Sequence, residues 1–185
     1  SSTNLARQTG LQQKTCWLFK VKVMQAMEST DRHPLEGDVD ISHIIIEKNL
    51  IQEDGKRKGG KSRVFVAIEK KGGGAARVYA LAMDRTSAKK TDAFIKRKID
   101  KCAILNLDAE TQYCLTGSPA LENKNYDKKL ATRVTRNMTD WLRSRHGNVV
   151  YLQFYINEYC YRHNRHRMTG EILDDLVDRM INHEP

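Results

Sequence analysis

Paired cysteines, long apolar runs and an excess of acid are all missing from this 185-residue chain. Its four cysteines, Cys16, Cys102, Cys114 and Cys160, include no Cys-x-x-Cys pair. That spacing argues against a disulfide framework and a structural zinc site, and leaves buried thiols in a reducing compartment as the expectation. No apolar stretch approaches the roughly 20 residues of a membrane-spanning helix. The run Ile44-Ile45-Ile46 stops at Glu47. The first residues lack the basic-then-apolar order of a secretory leader, so none is expected.

What the chain does have is positive charge. Lysine and arginine total 32 against 23 acidic residues, a formal +9. With 39% hydrophobic and 30% charged residues, it is too apolar for wholesale disorder and too polar for a membrane protein. The length suits one globular domain with a short appendage. A basic balance of this size points to a polyanionic partner, double-stranded DNA first.

Residues 1–27 read as a short helix, a break at Thr9-Gly10-Leu11, and a longer helix from Gln12 to Met27. Ser2 or Thr3 is the expected cap. Trp17, Leu18, Val21, Met24 and Ala26 form the expected inward face, with Lys14, Lys20 and Lys22 opposite. This is the pattern of a helix-turn-helix, and residues 1–30 are assigned as a DNA-binding segment. An ordinary helical hairpin is the alternative. Residues 28–36 carry no periodic pattern and read as a linker to a core over 35–185.

The period then changes. Asp38-Val39-Asp40-Ile41-Ser42-His43-Ile44 alternates polar and apolar, which predicts a strand. A Gly/Lys-rich loop is expected over 54–61. A second strand follows at Arg63 to Ile68, a turn at Lys71 to Gly74, and a third strand at Arg77 to Met83. Thr86 or Ser87 should cap a basic helix ending near Lys98. Ala103 to Leu107 is nearly all apolar, as in a strand buried on both faces. Residues 116–127 are loop-like, and the remainder is helical. The fold class is therefore α/β.

Asp40 in the first strand and Asp108 at the end of the fourth can meet if those strands are neighbours. Two such carboxylates suit hard divalent cations, and a third ligand from the C-terminal helices would complete a two-metal site. Positive charge gathers in four places: 56–61, 89–101, 128–145 and 162–167. Candidate phosphate contacts are Lys14, Lys20, Lys22, Lys56, Arg57, Lys58, Lys61, Arg143, Arg145, Arg162 and Arg165. Glu158 reads as one half of an ion pair with a nearby arginine. The aromatic stripe over 151–161 has helical spacing and reads as core.

Several stretches, in order, resemble a known family. They are Ser2-Thr3-Asn4-Leu5-Ala6-Arg7, Gln13-Lys14-Thr15-Cys16-Trp17, Leu35-Glu36-Gly37-Asp38-Val39-Asp40, Gly59-Gly60-Lys61-Ser62-Arg63-Val64 and Asp84-Arg85-Thr86-Ser87-Ala88-Lys89. Asp108 with Tyr113, and Tyr155 to Arg165, extend the series. Together they are similar to the ISXO-like insertion-sequence transposases, relatives of the Merlin elements.

The resemblance implies a ribonuclease-H-like mixed sheet flanked by helices, preceded by a small helix-turn-helix. It also implies metal-dependent DNA strand cleavage and transfer, with Mg²⁺ or Mn²⁺ held by Asp40, Asp108 and Asp140 as the catalytic acids. An ungapped alignment puts the family's first catalytic aspartate on Ser42, and a serine hydroxyl cannot replace a carboxylate charge at a divalent metal. The alternative is a degenerate relative that binds DNA without cutting it. A homodimer is left open. The expected location is the cytoplasm with the nucleoid in a bacterium, or the nucleus in a eukaryote.

Overall fold

The computed structural model describes residues 1–28, 33–51, 57–83, 88–116, 125–144 and 151–182. Two helices open the chain, α1 (Ser2–Thr9) and α2 (Gln13–Ala26). Three strands follow, β1 (Asp38–Ile51), β2 (Arg57–Lys71) and β3 (Gly74–Met83), then α3 (Ala88–Lys98) and β4 (Ile104–Leu107). Four helices complete it: α4 (Ala109–Thr116), α5 (Lys128–Ser144), α6 (Leu152–Asn164) and α7 (Ile172–Asn182).

The four strands form one mixed sheet in the order β3-β2-β1-β4, with the first three antiparallel and β4 parallel to β1. This is a mixed α/β architecture with helices on both faces, compatible with a ribonuclease-H-like arrangement. The β2–β3 hairpin turns on Gly72 and Gly73, both at positive φ (60° and 75°), the pairing a tight two-residue turn requires. β2 is central, and Val64 to Ile68 are all fully buried, so the apolar residues run continuously instead of alternating.

The even positions Val64, Val66 and Ile68 pack with α5 and α6 through Leu130, Val134, Met138 and Ile156. On the other face, Val39, Ile41, Ala67 and Tyr79 pack with Phe94 and Ile99 from the α3 end. Met138 has no exposed surface, so Met138→Ala should cost about 2–5 kcal/mol. No helix among the described residues is long and apolar enough to cross a membrane.

Several expectations need correction. β4 is an edge strand with Ile104 57% exposed, because no strand among the described residues pairs on its outer side. The expected loop over 54–61 is shorter, since Gly59 and Gly60 pair with Asn49 and Lys48 inside the β1–β2 ladder. The linker reading fails at Leu35, which is fully buried and bridges α3 by bonds to the Lys98 carbonyl and the Asp100 amide. In α2, Leu18 is exposed, because the helix docks through Cys16, Met24 and Ala26. Of the four cysteines, Cys102 is exposed and only Cys16 and Cys160 are buried.

Ser1, not Ser2 or Thr3, caps α1 by accepting from the Asn4 amide at 3.3 Å. The expected caps Thr86 and Ser87 lie outside the described residues. The helical pair α1–α2 is not a detached module, because α2 packs on both α6 and α7.

Candidate functional site

The parallel β1–β4 pairing puts Asp40 opposite Asn106 and Ile41 opposite Leu107. Asp108 is the next residue, just past the end of β4, and Tyr126 bonds both it and Ser42. Side chains two apart on a strand share a face. Asp40, Ser42 and Asn106 therefore share the face toward α5, and Asp108 follows directly after the paired strand.

Both aspartates are already engaged. Asp40 has no exposed surface, and its Oδ1 lies 2.8 Å from Lys70 Nζ. That contact is an ion pair rather than a well-aligned hydrogen bond. Its Oδ2 accepts from the Asp127 amide at 3.0 Å. Lys70 also donates to the Asn125 carbonyl at 2.6 Å. Asp127 in turn accepts from the Leu130 amide at 3.0 Å and so caps α5. Asp40 thus fastens the start of α5 to the sheet.

Asp108 does the same for α4. Its two oxygens accept from the amide and the hydroxyl of Thr111, each at 2.7 Å. Tyr126 donates to Asp108 at 3.4 Å and shares a hydrogen bond with Ser42. Burial pushes the Tyr126 hydroxyl up to about 12, the Ser42 bond opposes this, and the charges of Asp108 and Asp40 add to it. The amide of Asn106, fully buried beside Asp40, has no hydrogen-bond partner on either atom among the described residues.

The third acid is elsewhere. Asp140 is exposed on α5, two residues past the fully buried Met138, and so on the solvent face. It lies 13 residues beyond Asp127, or about 20 Å along the helix from the end that Asp40 holds. Glu158 is buried and paired with Arg162 at 3.1 Å, the structural ion pair expected for it. Among the described residues no three His, Cys, Asp or Glu side chains converge.

A two-metal centre needs several converging anionic oxygens. The donor set around Asp40 and Asp108 does not fit one, because Lys70 supplies the cation to Asp40 and the Asp108 oxygens are taken by Thr111.

No protein-family model, curated protein or solved structure matches this chain. The likeness to ISXO-like transposases therefore rests on its motif pattern alone.

The candidate phosphate contacts divide into three groups. Lys14, Lys22, Lys61 and Arg143 are exposed. Lys20, Arg162 and Arg165 have internal work: Lys20 lies 5.5 Å from the Tyr155 ring centre, and Arg162 pairs with Glu158. Arg165 pairs with Asp175 at 2.8 Å and stacks 4.3 Å from the Tyr161 ring centre. Lys56 and Arg145 lie outside the described residues, and Arg57 and Lys58 are placed only by backbone pairing with Ile51 and Leu50.

The basic segment 128–145, which supplies only Arg143 and Arg145 to the candidate contacts, is largely α5. Lys128, Lys129, Arg133, Arg136 and Arg143 share its exposed face with Thr132, Asn137 and a single acid, Asp140. Leu130, Ala131, Val134, Met138 and Leu142 occupy the other. The signal was available, since cations and apolar residues alternate there with helical period. Lys128 and Lys129 sit in the first turn, next to the capping carboxylate of Asp127.

Proposed function

We propose that this chain binds double-stranded DNA through the exposed face of α5, on a transposase-like core that does not cut. The observation that carries the reading is the row of five cations along a 17-residue helix, about 25 Å of surface. Duplex DNA carries one charge per ~1.7 Å of its axis, so such a row can meet several phosphates. Lys14, Lys22 and Lys61 supply further exposed charge. The absence of cutting is argued from Ser42, from the Lys70–Asp40 ion pair and from the solvent-facing Asp140. Metal-dependent cleavage is the second reading, favoured by the neighbouring placement of Asp40 and Asp108.

The test is fluorescence anisotropy on a duplex across about 50 to 200 mM salt, comparing the native chain with Lys128, Lys129, Arg133 and Arg136 all changed to Gln. Each lost phosphate contact removes ~0.9 from the salt slope, so four remove roughly 3.6. Over that range the native affinity should fall on the order of a hundredfold more than the variant's. Equal slopes would overturn the reading. Mg²⁺-dependent nicking by the native chain, lost in Asp108→Ala, would favour cleavage instead.

A further inference from the structure

Helix α7 is held to the rest of the chain by polar contacts. Asp175 accepts from the Tyr161 hydroxyl at 2.8 Å and from the Nε atoms of Arg165 and Arg179 at 2.8 and 2.9 Å. None of the eleven residues of α7 is buried. Leu173, Val177 and Ile181 recur every four residues and so form one stripe, with Leu173 64% and Ile181 75% exposed. Asp174 and Asp178 are exposed along the edge of that stripe. A helix that turns its apolar stripe away from its own core leaves the burial of that stripe to another surface.

Helix α2 carries the counterpart. Leu18 and Phe19 are 47% and 52% exposed, and Leu11, just before the helix, is 55% exposed. Lys14 and Lys22 lie one turn before and one turn after Leu18 on the same face, and both are exposed. α2 contains three lysines and no acid, whereas α7 contains three aspartates and one arginine. The two helices are neighbours in the fold, and Arg179 donates to the Glu28 carbonyl at 3.3 Å just past the end of α2. One copy of the chain therefore presents, on neighbouring helices, an apolar face edged with ammonium groups and an apolar face edged with carboxylates.

We propose that two copies of this chain pair about a two-fold axis, with α2 of each lying against α7 of the other. Leu11, Leu18 and Phe19 meet Leu173, Val177 and Ile181, while Lys14 and Lys22 face Asp174 and Asp178. Because each copy offers both faces, the two-fold makes the same contact twice and the assembly closes at two. Pairing like with like would instead set aspartates against aspartates or lysines against lysines, which is repulsive. The six apolar side chains expose about 600 Å² per copy, and the flanking charged residues bring this near the ~800 Å² per partner of a standard interface. The inference does not rest on the α5 surface. It assigns Lys14 and Lys22, exposed in the single chain, to the partner copy and leaves the duplex contact to α5.

The test is sedimentation velocity of the full chain without DNA, with circular dichroism to check that each variant is folded. The native chain should dimerise with a dissociation constant of about 1 μM or below. Lys14→Glu with Lys22→Glu, and separately Asp174→Lys with Asp178→Lys, should each weaken self-association roughly thirtyfold, since every reversed charge counts at both copies of the contact. Mixing the two variants should restore a heterodimer, because opposite charges then face each other at both contacts. Val177→Ser with Ile181→Ser removes apolar surface and should weaken the dimer by a route independent of charge.

A chain that stays monomeric at ~100 μM overturns the proposal and leaves these faces to a different partner. So does loss of the dimer in only one of the two charge-reversed variants, or a mixture that restores nothing. The α5 glutamine variant should remain dimeric, which separates failure of this inference from failure of the duplex-binding reading.

Discussion

Asp40 is the residue at which a structural and a catalytic role give opposite experimental results. As a structural residue, it neutralises Lys70 and accepts from the Asp127 amide at the start of α5, with no exposed surface of its own. Asp40→Ala strands the Lys70 ammonium and leaves that amide unpaired. Breaking a buried pair from one side costs about 3–5 kcal/mol. Lys70 keeps 19% of its side-chain surface exposed and can turn partly to water, so the low end, about 3 kcal/mol, applies. Unfolding entropy near 2.1 cal/mol/K per residue gives roughly 0.4 kcal/mol/K for 185 residues. The expected fall in melting temperature is therefore about 8 °C by differential scanning calorimetry. Lys70→Met should cost more, because it leaves the fully buried carboxylate unpaired. The double variant should lose less than the two single losses added together. An unchanged melting temperature in Asp40→Ala, together with loss of a divalent-metal-dependent activity, would refute this reasoning.

Three further outcomes follow from other parts of the fold. Cys102 should react with a thiol reagent in the native protein while Cys16 and Cys160 do not, since burial pushes the Cys160 thiol up to about 12; rapid labelling of Cys160, read by mass spectrometry, would contradict its packing. Burial, aided by nearby His166 and opposed by a bond to Ala75, holds His163 below its ordinary 6.5. The unfolded chain then takes up the proton first, so stability should fall as pH drops below about 6.5, and His163→Phe should flatten the melting temperature between pH 7.5 and 5.5. Ser42→Asp sets a second carboxylate across the Tyr126 hydroxyl from Asp108, so it should lower the melting temperature in EDTA. Mn²⁺ at a hundred times its dissociation constant should restore about 2.7 kcal/mol, roughly 7 °C; equal stabilisation of the native chain by Mn²⁺ would count against the account of Ser42.

The sheet was legible because its strands carry period-two patterning or continuous apolar runs, as at Asp38 to Ile44 and Val64 to Ile68, and because Gly72-Gly73 marks the hairpin. The neighbouring placement of Asp40 and Asp108 followed from the same strand order. Other features depend on contacts between residues far apart in the chain. Nothing local to Leu35 signals that it bridges α3, and nothing near Ile104 signals an edge strand, since an apolar tetrapeptide reads the same at an edge or in a centre. Helix α4 was missed because its eight residues carry no amphipathic stripe, and its start is fixed by Asp108 itself through Thr111.

The basic residues show why charge alone misassigns an interface. Arg162 and Arg165 stood out by density, yet each serves a carboxylate and an aromatic ring of this chain. Lys128, Lys129, Arg133 and Arg136 lie in a segment equally dense in charge, and they separate from the internally paired arginines only once the apolar face of α5 is known to be inward. The same distinction applies to the aspartates. A carboxylate held by an amide and an ammonium has already exchanged its hydration for protein contacts, and a metal ion would have to displace Lys70 from a fully buried position to recruit it. In a site built for catalysis, that competition would be removed by placing the cation elsewhere. Here Lys70 and the capped α5 depend on Asp40, so the loss of this carboxylate should first loosen the start of the basic helix.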